Sequence, residues 1–281
     1  PYATDFITDI IMGKIDHYGI QLYGVRDFMT NEEDIKESFA KLKKMGYSQV
    51  QTAGCAISYK RFGELAKEVG LEIVGTHDSF DMMLNDFEQS LENHKLLGTT
   101  NMGIGGMKCG SVDELARFIE NANIVAEKAA KNGMKFTYHH HSHEFIRREN
   151  GKTTMDMLIE GLDRNNTSFV LDTYWIQHAG GDIKEWIRKL EGRIDIIHLK
   201  DMKVVYGGDN VGYVNQFAEV GSGNMNWESI IDTAQECNVR YYVVEQDYYW
   251  ETNCFLSAKQ SINYLKSLQG GNEHGKGYAG L

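Results

Sequence analysis

The sequence predicts an α/β fold, a closed (β/α)8 TIM barrel forming a single domain, and three observations carry that expectation. Short runs rich in β-branched and aromatic residues alternate with longer segments of helical periodicity, eight times in succession. Strict alternation of that kind implies a parallel sheet, because a helix returns the chain to the start of each next parallel strand. Eight units of ~30 residues come to about 250, the usual size of such a barrel, and the chain has 281 residues with no Pro- or Ser-rich linker to divide it. An open doubly wound sheet is the alternative arrangement of the same units.

The eight strands are expected at His17–Tyr23, Tyr47–Thr52, Leu71–His77, Thr100–Ile104, Met134–His141, Thr167–Asp172, Ile194–Leu199 and Arg240–Glu245. Punctuation supports the helices between them. Asn31 ahead of Glu32, Glu33 and Asp34 opens the first, and Ser111 followed three residues later by Glu114 has the form of a capping box. Gly46, Gly70, Gly98 and Gly133 stand where a left-handed residue ends a helix. Two segments depart from this rhythm. Residues Lys200 to Trp227, rich in Gly and Asn, read as a long loop after the seventh strand, and a loop of that length is commonly functional. The barrel domain is therefore placed at 1–269, and the Gly-rich stretch 270–281 is read as a C-terminal tail.

Composition narrows the function. With 29 Lys and Arg against 40 Asp and Glu the formal charge is −11, which repels phosphate backbones and anionic lipid in the absence of a basic stripe. Nucleic-acid and membrane partners are not expected, and the apolar runs are strand-sized, far below the ~18 residues of a membrane span. The first residues show no basic stretch leading into an apolar segment, so a cytoplasmic location is expected. Cys55, Cys109, Cys237 and Cys254 are widely spaced and read as reduced thiols.

A barrel of this type carries its site at the C-terminal ends of the strands. Four consecutive strands end in metal-ligand types: His139, His140 and His141 on the fifth, Asp172 on the sixth, His198 and Lys200 on the seventh, Glu245 on the eighth. Residues two apart share a face of a strand, which groups His139 with His141 and His198 with Lys200. The histidine run lies inside an apolar strand pattern, which argues against a tag or a histidine-rich metal trap. Imidazoles with two carboxylates make a mixed nitrogen and oxygen site for one divalent cation, a donor set that suits Mn²⁺, Co²⁺, Zn²⁺, Fe²⁺ or Mg²⁺ without selecting among them, and Mn²⁺ is the ion expected first. Such an ion polarises a carbonyl and steadies the enediolate left when the neighbouring proton is removed. His77 at the end of the third strand, Gln21, Tyr23 and Arg26 at or beyond the end of the first, and Lys200 are candidates for substrate contact. The glycines Gly103, Gly105 and Gly106 lack the spacing of a dinucleotide fingerprint and read as a loop that lets backbone approach the site. Trp175, Tyr248, Tyr249 and Trp250 are candidate walls for a sugar ring.

The segments GIQLYGVRD (19–27), YHHHSHEF (138–145), LDTYWIQHAGGD (171–182), HLKDM (198–202), EVGSGNMNW (219–227) and YYVVEQD (241–247) together resemble the sugar phosphate isomerase/epimerase family, whose fold is a xylose isomerase-like barrel. The resemblance implies a divalent metal held by Asp172, His198 and Glu245. Relatives such as the ketose 3-epimerases carry a glutamate where this chain has His139, and use it with the counterpart of Glu245 to shuttle a proton. Here His139, His141 or Glu144 has to replace it. By position His139 is the fourth ligand and His141 the substrate contact or base, with the reverse assignment open. Trp175 stands where those epimerases have a histidine, which His178 is placed to replace. Subgroups with the same HxH and DxYW patterns resemble enzymes of inososes and 3-keto-glycosides. The resemblance thus implies an isomerase or epimerase of a keto-sugar or related polyol, a small-molecule carbohydrate substrate and a homo-oligomeric state. The alternative is a lyase or dehydratase acting on a 3-keto-glycoside or inosose.

Overall fold

A computed structural model describes residues 15–108, 110–250 and 252–270. Its centre is a parallel eight-stranded sheet. The strands are β1 (Tyr18–Gln21), β2 (Gln49–Ala53), β3 (Glu72–His77), β4 (Asn101–Ile104), β5 (Lys135–His139), β6 (Thr167–Asp172) and β7 (Ile194–Leu199). An added antiparallel pair, β8 (Asp201–Tyr206) and β9 (Tyr213–Ala218), precedes the last barrel strand, β10 (Tyr241–Val244). Ladders run β3-β2-β1-β10-β7-β6-β5-β4. The remaining seam between β3 and β4 is bridged by side-chain bonds: Asn101 Nδ2 donates to Val74 O at 2.9 Å, and Gly103 N donates to Thr76 Oγ1 at 3.0 Å. Asp78 N donates to Gly103 O at 2.8 Å just beyond them. Gly103 is required at this seam, because a β-carbon there would collide with the Thr76 carbonyl oxygen and the Thr137 hydroxyl. The closed barrel is the architecture expected, in one domain.

Ten helices surround the sheet among the described residues, from α1 (Glu32–Met45) to α10 (Cys254–Gly270). Their ends follow the sequence signals. The Asn31 side chain accepts from Asp34 N, Ser111 and Glu114 form the reciprocal capping box of α5 (Val112–Lys131), and Gly46, Gly70, Gly98 and Gly133 all have positive φ. The apolar faces of these helices pack on the outside of the sheet in one large cluster that includes Phe39, Phe62, Leu65, Phe136 and Leu171. Inside the barrel a smaller cluster of Val74, Val170, Ile196 and Val243 forms a plug. Strand alternation then dictates what lies one layer above it: Val170 leads to Asp172, Ile196 to His198 and Val243 to Glu245.

Three expectations need adjusting. The segment 200–227, expected as one long loop, is a hairpin over residues 201–218, β8 pairing with β9 from Asp201↔Ala218 to Tyr206↔Tyr213, and only its remainder up to the helix at Trp227 is loop. The first strand ends at Gln21 and gives way to a tight 3-10 turn, Leu22–Phe28, so Tyr23 and Arg26 sit on that turn. Helix α10 runs through Gly270, one residue into the stretch read as a tail, and residues 271–281 lie outside the described residues. Residues 1–14, on which the expected location partly rested, also lie outside them, as does Cys109. Cys55, Cys237 and Cys254 are free thiols. Among the described residues no helix is long and apolar enough to cross a membrane.

Candidate metal centre

The layer above the plug brings His139, Asp172, His198 and Glu245 together. All four are buried, and one ligand atom of each lies within 4.8 Å of the other three. Register accounts for part of this: Asp172 stands opposite His198 across β6 and β7, and His198 stands opposite Val243, two residues before Glu245. His139 Nε2 is 3.4 Å from Asp172 Oδ2, and His198 Nδ1 is 2.9 Å from Glu245 Oε2 and 3.6 Å from Asp172 Oδ2. His198 Nδ1 is nonetheless buried without a formed hydrogen bond. A ring nitrogen pressed against two carboxylates is the arrangement a shared cation satisfies, and two imidazoles with two carboxylates are a donor set that fits a divalent ion.

Charge at the centre is strongly coupled. Burial alone would lower the His198 pKa, but the carboxylates of Glu245 and Asp172 outweigh it and raise it to about 9. Burial opposes ionisation of Asp172 and Glu245 as well. Lys200 with His139 and His198 holds the first well below the usual carboxylate range, and His198 with Lys200 does the same for the second. Lys200 is itself buried, with Nζ 3.1 Å from Glu245 Oε2, 3.6 Å from Asp172 Oδ2, and 2.8 and 2.9 Å from the two oxygens of Asp247. Those carboxylates keep its ammonium charged despite burial, and its cation lies 4.9 Å from the ring centre of Trp175 and 5.0 Å from that of Phe217.

Around this core the other candidates fall into two groups. His77 and His141 join it. The His77 ring stacks on His139 at 4.8 Å, and the His141 ring lies 4.6 Å from that of His139 and 5.4 Å from Trp175. Burial, followed by the neighbouring His139, pushes His141 down to about 3, so its imidazole is neutral near pH 7. The glycine loop does let backbone approach: β-carbons added at Gly105 and Gly106 would lie 3.4 Å from His77 Nδ1 and 3.1 Å from His141 Nδ1. Glu144 lies behind His141. It is fully buried, accepts from Tyr138 Oη at 2.8 Å and from His141 N at 2.8 Å, and braces the turn Ser142–Phe145 from outside the four-residue cluster.

The second group stays at the rim. Arg26 donates to Tyr23 O at 2.8 Å and to Asp247 O at 3.1 Å, tying the β1 turn to the loop after β10, and its guanidinium lies over the half-exposed Tyr23 ring. His178 is exposed at the end of α7 (Thr173–His178) and stacks on Tyr174, so it does not reach the cluster. Trp175 and Tyr248 flank Phe217 of the hairpin and form the aromatic side of the mouth.

Sequence reading missed Gln51, Phe217 and the part played by Asp247, and named His140 without its role. Gln51 on β2 accepts from His198 Nε2 at 2.6 Å, which turns Nδ1 toward the carboxylates. His140 points away from the mouth, yet its Nε2 accepts the backbone N–H of Asp172 at 3.0 Å and so fixes the end of β6. Asp247 neutralises Lys200, and Phe217 arrives with the unforeseen hairpin.

Comparisons with known proteins agree with this architecture. The chain is 26% identical over 149 residues to the inosose dehydratase of Clostridium perfringens, a stretch covering 48% of each chain. It spans about half the length of the curated relatives it matches. Among solved structures, a sugar phosphate isomerase/epimerase from Parabacteroides distasonis superposes with a TM-score of 0.76 at 22% identity, covering 95% of this chain and 98% of that one. A xylose isomerase-like barrel protein from Mycobacterium smegmatis in complex with magnesium superposes at 0.65 with 14% identity, covering 91% and 97%. At such identities the superpositions speak for the fold alone. The model of one family, however, matches residues 39–268, which takes in all but the first of the barrel strands and every residue of the cluster, and the chain belongs to that family, the xylose isomerase-like TIM barrels.

Proposed function

We propose that the protein is a divalent-metal-dependent carbon–oxygen lyase acting on an inosose or a 3-keto-glycoside, and that it begins by removing the proton beside the substrate carbonyl. The observation that carries this reading is the buried His139, Asp172, His198 and Glu245 cluster with two further imidazoles against it. A divalent cation held by those four residues, Mn²⁺ in the first place, supplies Lewis-acid polarisation of a carbonyl and so acidifies the adjacent C–H. The chain's own residues provide the rest. His141 is neutral, and its Nδ1 is buried without a partner, which makes it the group to accept the carbon-bound proton. Lys200 holds its proton and offers N–H donors to substrate oxygens. Trp175 and Phe217 keep water from that side.

Two features favour elimination. With a metal bound, both carboxylates of the cluster would serve as ligands, and β5 contributes His139 instead of a further proton-carrying carboxylate. The curated relatives named inosose dehydratase point the same way. A second reading, an isomerase or epimerase of a keto-sugar or related polyol, shares the first step and is favoured by Glu245, whose Oε2 touches both His198 and Lys200 and offers a second group to return the proton.

Incubation of Mn²⁺-loaded protein in D₂O with inososes, 3-keto-glucosides and ketohexoses separates the two. Loss of water or aglycone supports the lyase. A deuterated isomer with nothing expelled supports the isomerase, and failure of the protein to take up a metal sinks both.

A further inference from the structure

Gln21 fixes the protonation of the imidazole it touches. It ends β1, and its Oε1 accepts the backbone N–H of Tyr23 at 3.0 Å. Its Nε2 faces the other way, 3.5 Å from Thr52 O and 3.2 Å from His77 Nδ1. A backbone N–H can only donate, so the amide oxygen is committed to Tyr23 and the amide nitrogen to His77. An N–H that meets a ring nitrogen needs a lone pair there. Nδ1 of His77 is therefore bare, and the same contact excludes both the imidazolium and the Nδ1–H tautomer. The single ring proton sits on Nε2, an atom that is buried and has no hydrogen-bond partner among the described residues. An unpaired buried donor is costly, and this one lies in a ring stacked on His139 and 5.6 Å from the ring of His198. Gln51 has the opposite effect on His198: its Oε1 takes the Nε2–H and turns Nδ1 toward the carboxylates, where a metal could displace its proton.

We propose that Gln21 makes His77 a neutral hydrogen-bond donor to a substrate oxygen through Nε2–H, and by the same contact bars it from the metal that its neighbours His139 and His198 hold. Two glutamines on adjacent strands thereby sort facing histidines into a donor and a ligand. The substrate half of this inference rests on the function proposed above, whereas the tautomer half does not.

The test is long-range ¹H–¹⁵N correlation on the full chain labelled with ¹⁵N-histidine, metal-free and loaded with diamagnetic Zn²⁺, with His77→Gln assigning the resonance. A bare Nδ1 and a protonated Nε2 in both forms is expected. A protonated Nδ1 in either form overturns the proposal, and so does loss of the Nε2 proton on Zn²⁺ addition, which would make His77 a ligand. Gln21→Glu presents an acceptor where the amide presented a donor. It should move the ring proton to Nδ1, leave Zn²⁺ stoichiometry unchanged, and lower kcat/KM about 10²-fold on whichever keto-sugar turns over. Unchanged kcat/KM with the tautomer reversed would overturn the substrate contact. If no keto-sugar turns over, the proposed function fails while the spectra still decide the tautomer.

Discussion

Lys200 is the residue on which the charge balance of the mouth turns. Its ammonium is buried among Asp172, Glu245 and Asp247, three carboxylates that one cation cannot neutralise, and the proton on His198 supplies the second positive charge. A metal ion would take over both duties at the Asp172 and Glu245 end. Lys200→Met should therefore destabilise the metal-free protein by about 3–5 kcal/mol, the usual consequence of leaving buried charge unpaired. The same variant should bind Mn²⁺ or Zn²⁺ more tightly than the wild type, because the competing positive charge 3.1 Å from a ligand oxygen has gone. Thermal melts with and without metal and titration calorimetry read both effects. An unchanged metal-free melt, or weaker binding, would show that the ammonium does not share those carboxylates.

At the scale of elements the β8–β9 hairpin depends on one carboxylate. Asp201 begins β8 and accepts from the N–H groups of Met202, Gly221 and Gly223 and from Trp227 Nε1, at 2.7 to 3.1 Å, so both ends of the hairpin and the start of α9 (Trp227–Glu236) converge on it. Gly223 has no alternative there, since a β-carbon would overlap the Asp201 carboxylate. Asp201→Asn turns an N–H toward a donor and should cost about 2 kcal/mol. Amide exchange over residues 202–218 should quicken while the barrel strands stay protected, and uniform exchange would show the hairpin is held otherwise. The hairpin was not legible in the sequence because its strands are half exposed and its turn, Gly207 to Gly212, is rich in loop formers. The convergence of His139, Asp172, His198 and Glu245 was legible because all four stand at strand ends on one end of the barrel, whereas strand alternation grouped His139 with His141 and left the choice between them open. Gln21 was legible as a strand-end candidate but its contacts were not, and Gln51 was not legible at all, because a glutamine in a strand carries no signal of what its amide will meet across the barrel.

At the scale of the whole molecule the fold was the most legible level, since glycines at helix ends and eight β-rich runs each repeat the same instruction. What those signals could not convey is how many histidines the closed barrel would seal away from water, and this sets its response to pH. His140 is fully buried, its pKa pushed down to about 3 by burial and then by His139, and its Nε2 is occupied by the Asp172 N–H. His94, bonded to Thr76 and Ser90, is lowered by burial as well. Between the unfolded value of about 6.5 and those depressed values the unfolded chain binds protons that the folded chain refuses. Stability should therefore fall as pH drops below about 6.5, by up to about 1.4 kcal/mol per pH unit for each such histidine. Protonation of Asp172 and Glu245 adds to the loss in more acid solution. His198 acts in the opposite sense. Raised to about 9, it stabilises the metal-free protein fully below about 6.5 and loses that contribution as pH rises through about 9. The metal-free melting temperature should thus peak near pH 6.5 and decline on both sides. A divalent ion bound by the cluster proposed above would replace the His198 proton, so loading should abolish the alkaline decline and leave the acid one, where protons compete with the metal for its ligands. Melting curves from pH 4 to 10 with chelator and with Zn²⁺ test this, and the same alkaline decline in both forms would mean that the metal does not displace the proton on His198.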